Sequence, residues 1–227
     1  MDHPFFMETF IEMENERKAV VRFGLKMLES GLTTGTGGNL SIIDRNSGRV
    51  AVSPSGIEYA ALQPHDVVLT DMGGNILDGE CTPSSELGFH LSIYRRRKDV
   101  QAVVHTHSPY AVTMACLGWE IPAVHYLVGF AGKKVPLAPY ATFGTPELAE
   151  IVAEHIGDYN ALLLANHGLV AVGRSMDTAF ATAEEIEFVA RIYYQTKSIG
   201  NPLILPDEEM ETVLEKFKTY GQKKMGG

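Results

Sequence analysis

Cysteine is scarce: Cys81 and Cys116 are the two thiols in 227 residues. That is too few for the disulfide framework by which small secreted domains replace a core. Basic residues are short as well, with nineteen Lys and Arg against twenty-eight Asp and Glu and a formal charge of −9. Such a chain repels nucleic-acid backbones and anionic membranes, so neither is expected as a partner. An anionic ligand would have to meet a small local site. No apolar run is long enough to span a bilayer. The opening MDHPFFMETFIEMENER carries acids where a secretory signal needs bases, so the chain reads as cytoplasmic. There is no GxSxG, no GxGxxG and no Gly-Lys-Ser/Thr phosphate loop, which removes the common signatures of acyl transfer and nucleotide binding. Repeats, low-complexity tracts and linkers are absent too. What remains, 45% apolar and 21% charged residues, is the balance of a globular protein with a core of its own.

Helices and strands alternate along this chain. Phe10, Ile11, Met13, Val20, Val21, Phe23, Met27 and Leu28 recur at helical spacing, and Gly31 is a stop. NLSII and RVAVS flank the turn DRNSG, and VVLTD is parted from NIL by MGG, which reads as hairpin structure. Pro83 with Ser84 or Ser85 opens a helix through Glu86, Phe89, Ile93 and Tyr94 to the basic run at 95–98. AVVHTH is a short apolar strand with a polar tip, and ALLLANHGLVAVG is two strands around an Asn-His-Gly turn. A long helix spans about 176–197, and a last one runs from Asp207 to about Phe217. Tight hairpins among the strands favour a mixed or antiparallel sheet flanked by helices over a doubly wound parallel one.

The sharpest chemical signal is His105-Thr106-His107. Residues two apart on a strand share a face, so both imidazoles can reach one ion. His167 ends a comparable apolar strand before Gly168 and is a third candidate. Three imidazoles with an open fourth position are the donor set of catalytic zinc. His3, His65, His90, His125 and His155 lack such a setting and read as structural. Glu86, in PSSELGFH, has two readings: an acid complementing the helix dipole, or a carboxylate aimed at a metal. Ser84 and Ser85 are ordinary N-caps that could also hold an anion with the helix N–H groups. Gly35-Thr36-Gly37-Gly38-Asn39 and Ser53-Pro54-Ser55-Gly56 are small turns able to form a nest of N–H groups for an oxyanion.

Taken in order, TGTGGNLS, SPSGI, PSSE, HTH and NHG resemble the class II aldolase and adducin head family along nearly the whole chain. Downstream, IPAVHY, APYATFGTPEL and VLEKFKTYG look most like its L-fuculose-1-phosphate aldolase branch. The resemblance implies one α/β domain over 1–227, with a nine-stranded mixed, largely antiparallel sheet between helices, assembled as a C4 homotetramer with sites at the interfaces. It makes His105, His107 and His167 zinc ligands, and Glu86 both a ligand of the resting metal and the catalytic carboxylate. Asn39, Ser55, Gly56, Ser84 and Ser85 match the phosphate pocket, with Thr36 close by as a further substrate-binding residue. Tyr126 matches a tyrosine that enters a neighbour's site, and Phe143 and Tyr220 match the aldehyde end. One departure is HTHS, where this branch is expected to carry Asn between the histidines.

The activity so implied is reversible retro-aldol cleavage of L-fuculose 1-phosphate, or a related ketose 1-phosphate, to dihydroxyacetone phosphate and an aldehyde. One alternative substrate is a 5-deoxypentulose or methylthioribulose 1-phosphate, whose dihydroxyacetone phosphate half is the same. L-ribulose-5-phosphate 4-epimerase is a second alternative. It is expected to carry Asp at the position of Glu86 and an extra acid near Tyr126, and IPAVHYLVGFAG holds none. An adducin-like interaction module is the non-enzymatic alternative, and the retained histidines and Glu86 argue against it.

Overall fold

The computed structural model describes residues 13–219. Phe10 and Ile11 of the first expected helix, and Tyr220, lie outside them. The chain opens with α1 (Glu14–Glu29), which ends where the sequence expects. Gly31 turns left-handed at φ +69°, while Leu32 N–H reaches Met27 O and Gly31 N–H reaches Leu28 O. These two bonds close the helix in a Schellman motif.

Then come β1 (Asn39–Asp44), β2 (Arg49–Val52), β3 (Val68–Thr70), β4 (Ile76–Asp78), α2 (Leu87–Arg96), β5 (Ala102–Thr106) and α3 (Pro109–Leu117). After β6 (Leu137–Ala138) and α4 (Pro146–His155) follow β7 (Ala161–Leu164), β8 (Gly168–Gly173), α5 (Met176–Ile199) and α6 (Asp207–Thr219). The strands form one sheet in the order β4-β3-β2-β1-β5-β8-β7-β6. Every pairing is antiparallel except β6 with β7. This is the mixed, largely antiparallel sheet that the hairpin signals predict. It has eight strands among the described residues, where nine are expected.

Both faces of the sheet are covered. Phe23 and Met27 of α1, Ala111 and Met114 of α3, and Phe180 and Ile186 of α5 pack with Leu40, Val104, Leu169 and Ala171. Phe89 and Ile93 of α2 and Leu148 and Val152 of α4 pack with Val50, Val103, Val170 and Val172 on the other side. Neighbouring strand residues thus go to opposite layers, which is why these strands read as continuous apolar runs. No described helix is long and apolar enough to cross a membrane.

Two helices go unread in the sequence. Pro109 and Pro146 sit at the first turns of α3 and α4, where a missing N–H costs nothing, and Thr145 Oγ1 caps α4 by accepting from Leu148 N–H. Helix α2 also starts later than expected: Glu86 is its N-cap residue and not part of its first turn. Ser84 Oγ accepts the Glu86 backbone N–H at 3.2 Å, and the glutamate side chain makes no cap bond to the helix.

Candidate active site

The register of the central strands builds the site. Asn39 of β1 pairs with His105 of β5, and Thr106 pairs with Leu169 at the start of β8. His105 and His107 are two apart at the end of β5, so they share the α2 face of the sheet. His167 comes from the turn between β7 and β8, where Asn166 takes φ +54°, a left-handed conformation that asparagine tolerates. Gly38 makes room next door. Its φ is +70°, and a Cβ there would lie 2.4 Å from His105 O.

His105 donates its Nδ1–H to Leu169 O at 3.0 Å, which leaves Nε2 bare. That Nε2 lies 3.0 Å from Nε2 of His107 and 3.3 Å from Oε2 of Glu86. Oε1 of Glu86 lies 3.3 Å from Nε2 of His167. Burial pushes the pKa of all three imidazoles below the ordinary value, His105 furthest, so they are neutral and offer lone pairs. Burial also raises the pKa of Glu86, opposed by His167 and by the hydrogen bond from Asn39.

This donor set fits a metal ion. The ligating nitrogens of His105, His107 and His167 lie within 4.8 Å of one another. The bare Nε2 of His105 faces Nε2 of His107 at 3.0 Å, a contact that is favourable when a proton or a cation sits between the two nitrogens. Oε1 of Glu86 is buried and accepts no hydrogen bond among the described residues, an expensive condition that a cation would relieve. Three imidazoles plus one carboxylate match the preferences of zinc.

Above these groups opens a cavity of about 440 Å³. Glu86, His107 and His167 reach its wall, while His105 is fully buried beneath. Asn39, Ser55, Gly56, Ser84 and Ser85 line it together with the neighbouring Thr36, so the structure brings together every residue matched to the phosphate pocket. Phe143, 66% exposed, stands at the same cavity. Tyr140 and Asn166 line it too and were not singled out in the sequence. Tyr126 is not brought to this cavity; it borders another with Phe130, Val213 and Phe217. Tyr220 lies outside the described residues. His90, read as structural, sits directly under Asn39 with its Nε2 at 2.5 Å from Asn39 Oδ1. No local sequence signal ties the two, since they are 51 residues apart.

The chain is similar to known proteins over most of its length. A 5-deoxy-D-ribulose 1-phosphate aldolase of Bacillus thuringiensis serovar kurstaki is 56% identical over 211 residues, 93% of this chain and 99% of that protein. The L-fuculose phosphate aldolase of Escherichia coli K12 is 40% identical over 213 residues, 93% of this chain and 98% of that protein. The solved structure of an L-fuculose 1-phosphate aldolase superposes with a TM-score of 0.89 at 45% identity, covering 90% of this chain and 96% of that one. The family model described as Class II Aldolase and Adducin N-terminal domain matches residues 18–194. With the histidine cluster, its carboxylate and the anion-sized cavity in place, the chain belongs to the class II aldolase and adducin family, on its aldolase side.

Proposed function

We propose that the chain is a zinc-dependent aldolase that cleaves 5-deoxy-D-ribulose 1-phosphate between C3 and C4, giving dihydroxyacetone phosphate and acetaldehyde. The observation that carries this reading is the 56% identity, over almost its full length, to a relative named for that substrate. The expectation of L-fuculose 1-phosphate gives way to its alternative because the fuculose-named relative stands at 40% over a similar span. L-Fuculose 1-phosphate remains the second reading, favoured by the superposition at a TM-score of 0.89.

The chemistry follows from the cavity. The phosphate is held by the hydroxyls of Ser55, Ser84 and Ser85, the Asn39 amide and the N–H groups of the glycine turns. A neutral polar nest lets an acidic protein hold an anion without a cationic side chain. When bound by His105, His107, His167 and Glu86, a divalent cation would supply Lewis-acid polarisation of the ketose carbonyl. Cleavage removes a proton from the C4 hydroxyl and leaves the dihydroxyacetone phosphate half as an enediolate. Glu86 returns a proton to C3 of that enediolate and removes it in the condensation direction. A carboxylate that must act as both acid and base works best with a raised pKa, the direction in which burial moves Glu86. Tyr126 handles the C4 hydroxyl proton from a neighbouring subunit of a C4 tetramer, and Phe143 and Tyr220 flank the departing aldehyde.

A panel of ketose 1-phosphates, read as released dihydroxyacetone phosphate, tests the assignment. 5-Deoxy-D-ribulose 1-phosphate is expected to give the highest kcat/KM, with loss of turnover on chelation and recovery with zinc. A higher kcat/KM for L-fuculose 1-phosphate overturns the substrate assignment. Full turnover by metal-free protein overturns the metal centre.

A further inference from the structure

Beneath the cavity floor two periodicities meet. Glu86 at the N-cap of α2, and His90 and Tyr94 within the helix, are four residues apart and turn toward one face. On β1, Asn39 and Ser41 are two apart and point at that face. The two lines interleave. Asn39 Nδ2 donates to Glu86 Oε2 at 2.9 Å, and Asn39 Oδ1 lies 2.5 Å from His90 Nε2. His90 Nδ1 lies 2.7 Å from Ser41 Oγ, which lies 2.7 Å from the Tyr94 hydroxyl. His90, Ser41 and Tyr94 are all fully buried.

The direction of every bond is fixed from the carboxylate end. Glu86 Oε2 takes an N–H from the Asn39 amide, so Oδ1 of that amide must face His90 and accept. His90 Nε2 therefore carries the proton. Burial pushes the His90 pKa down to about 3, so the ring is neutral near physiological pH and its Nδ1 is bare. Ser41 must donate to that nitrogen, and its oxygen then accepts from the Tyr94 hydroxyl, which burial keeps protonated. One consistent arrangement exists, and it presents the NH₂ end of Asn39 to the site.

We propose that His90, backed by Ser41 and Tyr94, is a positioning residue for catalysis: it locks the Asn39 amide so that one N–H holds Glu86 and the other serves the substrate cavity. Without this lock the amide can turn its oxygen toward the glutamate, which repels the carboxylate and withdraws a donor from the anion pocket. The inference rests on the aldolase reading above and deepens it by naming what aims the catalytic acid.

A double-mutant cycle tests it. His90→Phe should lower kcat/KM about 10- to 100-fold, the usual range for partners of a metal-site ligand. In an Asn39→Ala background the same change should cost less than about twofold, because the group it positions is gone. His90→Gln, which restores a donor, should recover part of the loss. Losses that multiply across the cycle overturn the proposal and make His90 a packing residue. If His90→Phe does not fold, Ser41→Ala replaces it in the same cycle with the same two outcomes. A second readout needs no turnover: in ¹⁵N spectra of histidine-labelled, metal-free protein the His90 ring, identified as the signal lost in His90→Gln, should be held as the Nε2–H tautomer. An Nδ1–H tautomer at His90 overturns the hydrogen-bond order. Should the parent protein cleave no ketose 1-phosphate, the aldolase reading fails while the tautomer result still decides the amide's orientation.

Discussion

Glu86 is held at the point where a helix begins, yet it caps nothing: its side chain makes no bond to the helix N–H groups. It spans His105 and His167 instead, with Asn39 donating a hydrogen bond to it at 2.9 Å. From this segment alone the dipole-complementing reading is the stronger one, because an acid at the start of a helix is ordinary. Only the register that sets Asn39 opposite His105 separates the two readings. The paired histidines were legible because a strand's two-residue period acts over three positions. His90 was not, since its partners lie on a strand 49 and 51 residues away. Glu86→Gln keeps the size and the acceptor for Asn39 but cannot shuttle a proton. It should fold normally while solvent deuterium exchange at the reacting carbon of dihydroxyacetone phosphate falls about 10²- to 10⁴-fold. Exchange at the parent rate would return Glu86 to the role of a helix-terminal acid.

At the scale of elements, the site depends on how closely β8 approaches the end of β5. Gly168 opens β8 opposite Leu164, immediately after His167. A Cβ on it would lie 2.4 Å from Thr106 O, 3.0 Å from Cε1 of His105 and 3.1 Å from Cδ2 of His107. The nearest of these is backbone, so the strands must part or the rings must tilt. Gly168→Ala should therefore cost about 1–3 kcal/mol of stability, as overpacking does. It should also weaken zinc binding by tenfold or more, since ligand geometry and strand spacing are one variable here. Chemical denaturation and a zinc titration check the two effects, and parent values in both would mean the strands have slack. Elements with a clear period or hairpin signal were legible: α1, α5, β1 with β2, and the β7–β8 pair around Asn-His-Gly. Helix α3 was not, because PYAVTMACL is apolar on most sides and offers no period to read. Strand β6 is two residues long and exists through its parallel pairing with β7, a contact that no local pattern announces.

For the whole molecule, the open question is what Tyr126 serves. It lies in a short 3₁₀ turn, Tyr126–Phe130, with its ring 6.3 Å from that of Phe217 on α6. Its side of the chain borders a cavity separate from the histidine cluster, and the residue is 48% exposed. A tyrosine that moves the C4 proton cannot do so from there within its own chain. A neighbour can bring it in. Heterologous contacts of this kind close into rings when the rotation allows, and the single chain leaves apolar side chains available to such a contact, Leu117 being 49% and Trp119 38% exposed. Complementation tests the arrangement. Tyr126→Phe should be inactive for want of the proton carrier, and His107→Ala for want of a ligand. After the two variants are mixed and their subunits exchanged, some sites combine intact ligands from one chain with an intact tyrosine from the other. Partial activity should return, rising with the mixing ratio toward equal amounts and limited by the fraction of interfaces paired in that sense. Mixtures that stay inactive after exchange would place Tyr126 outside the reaction altogether.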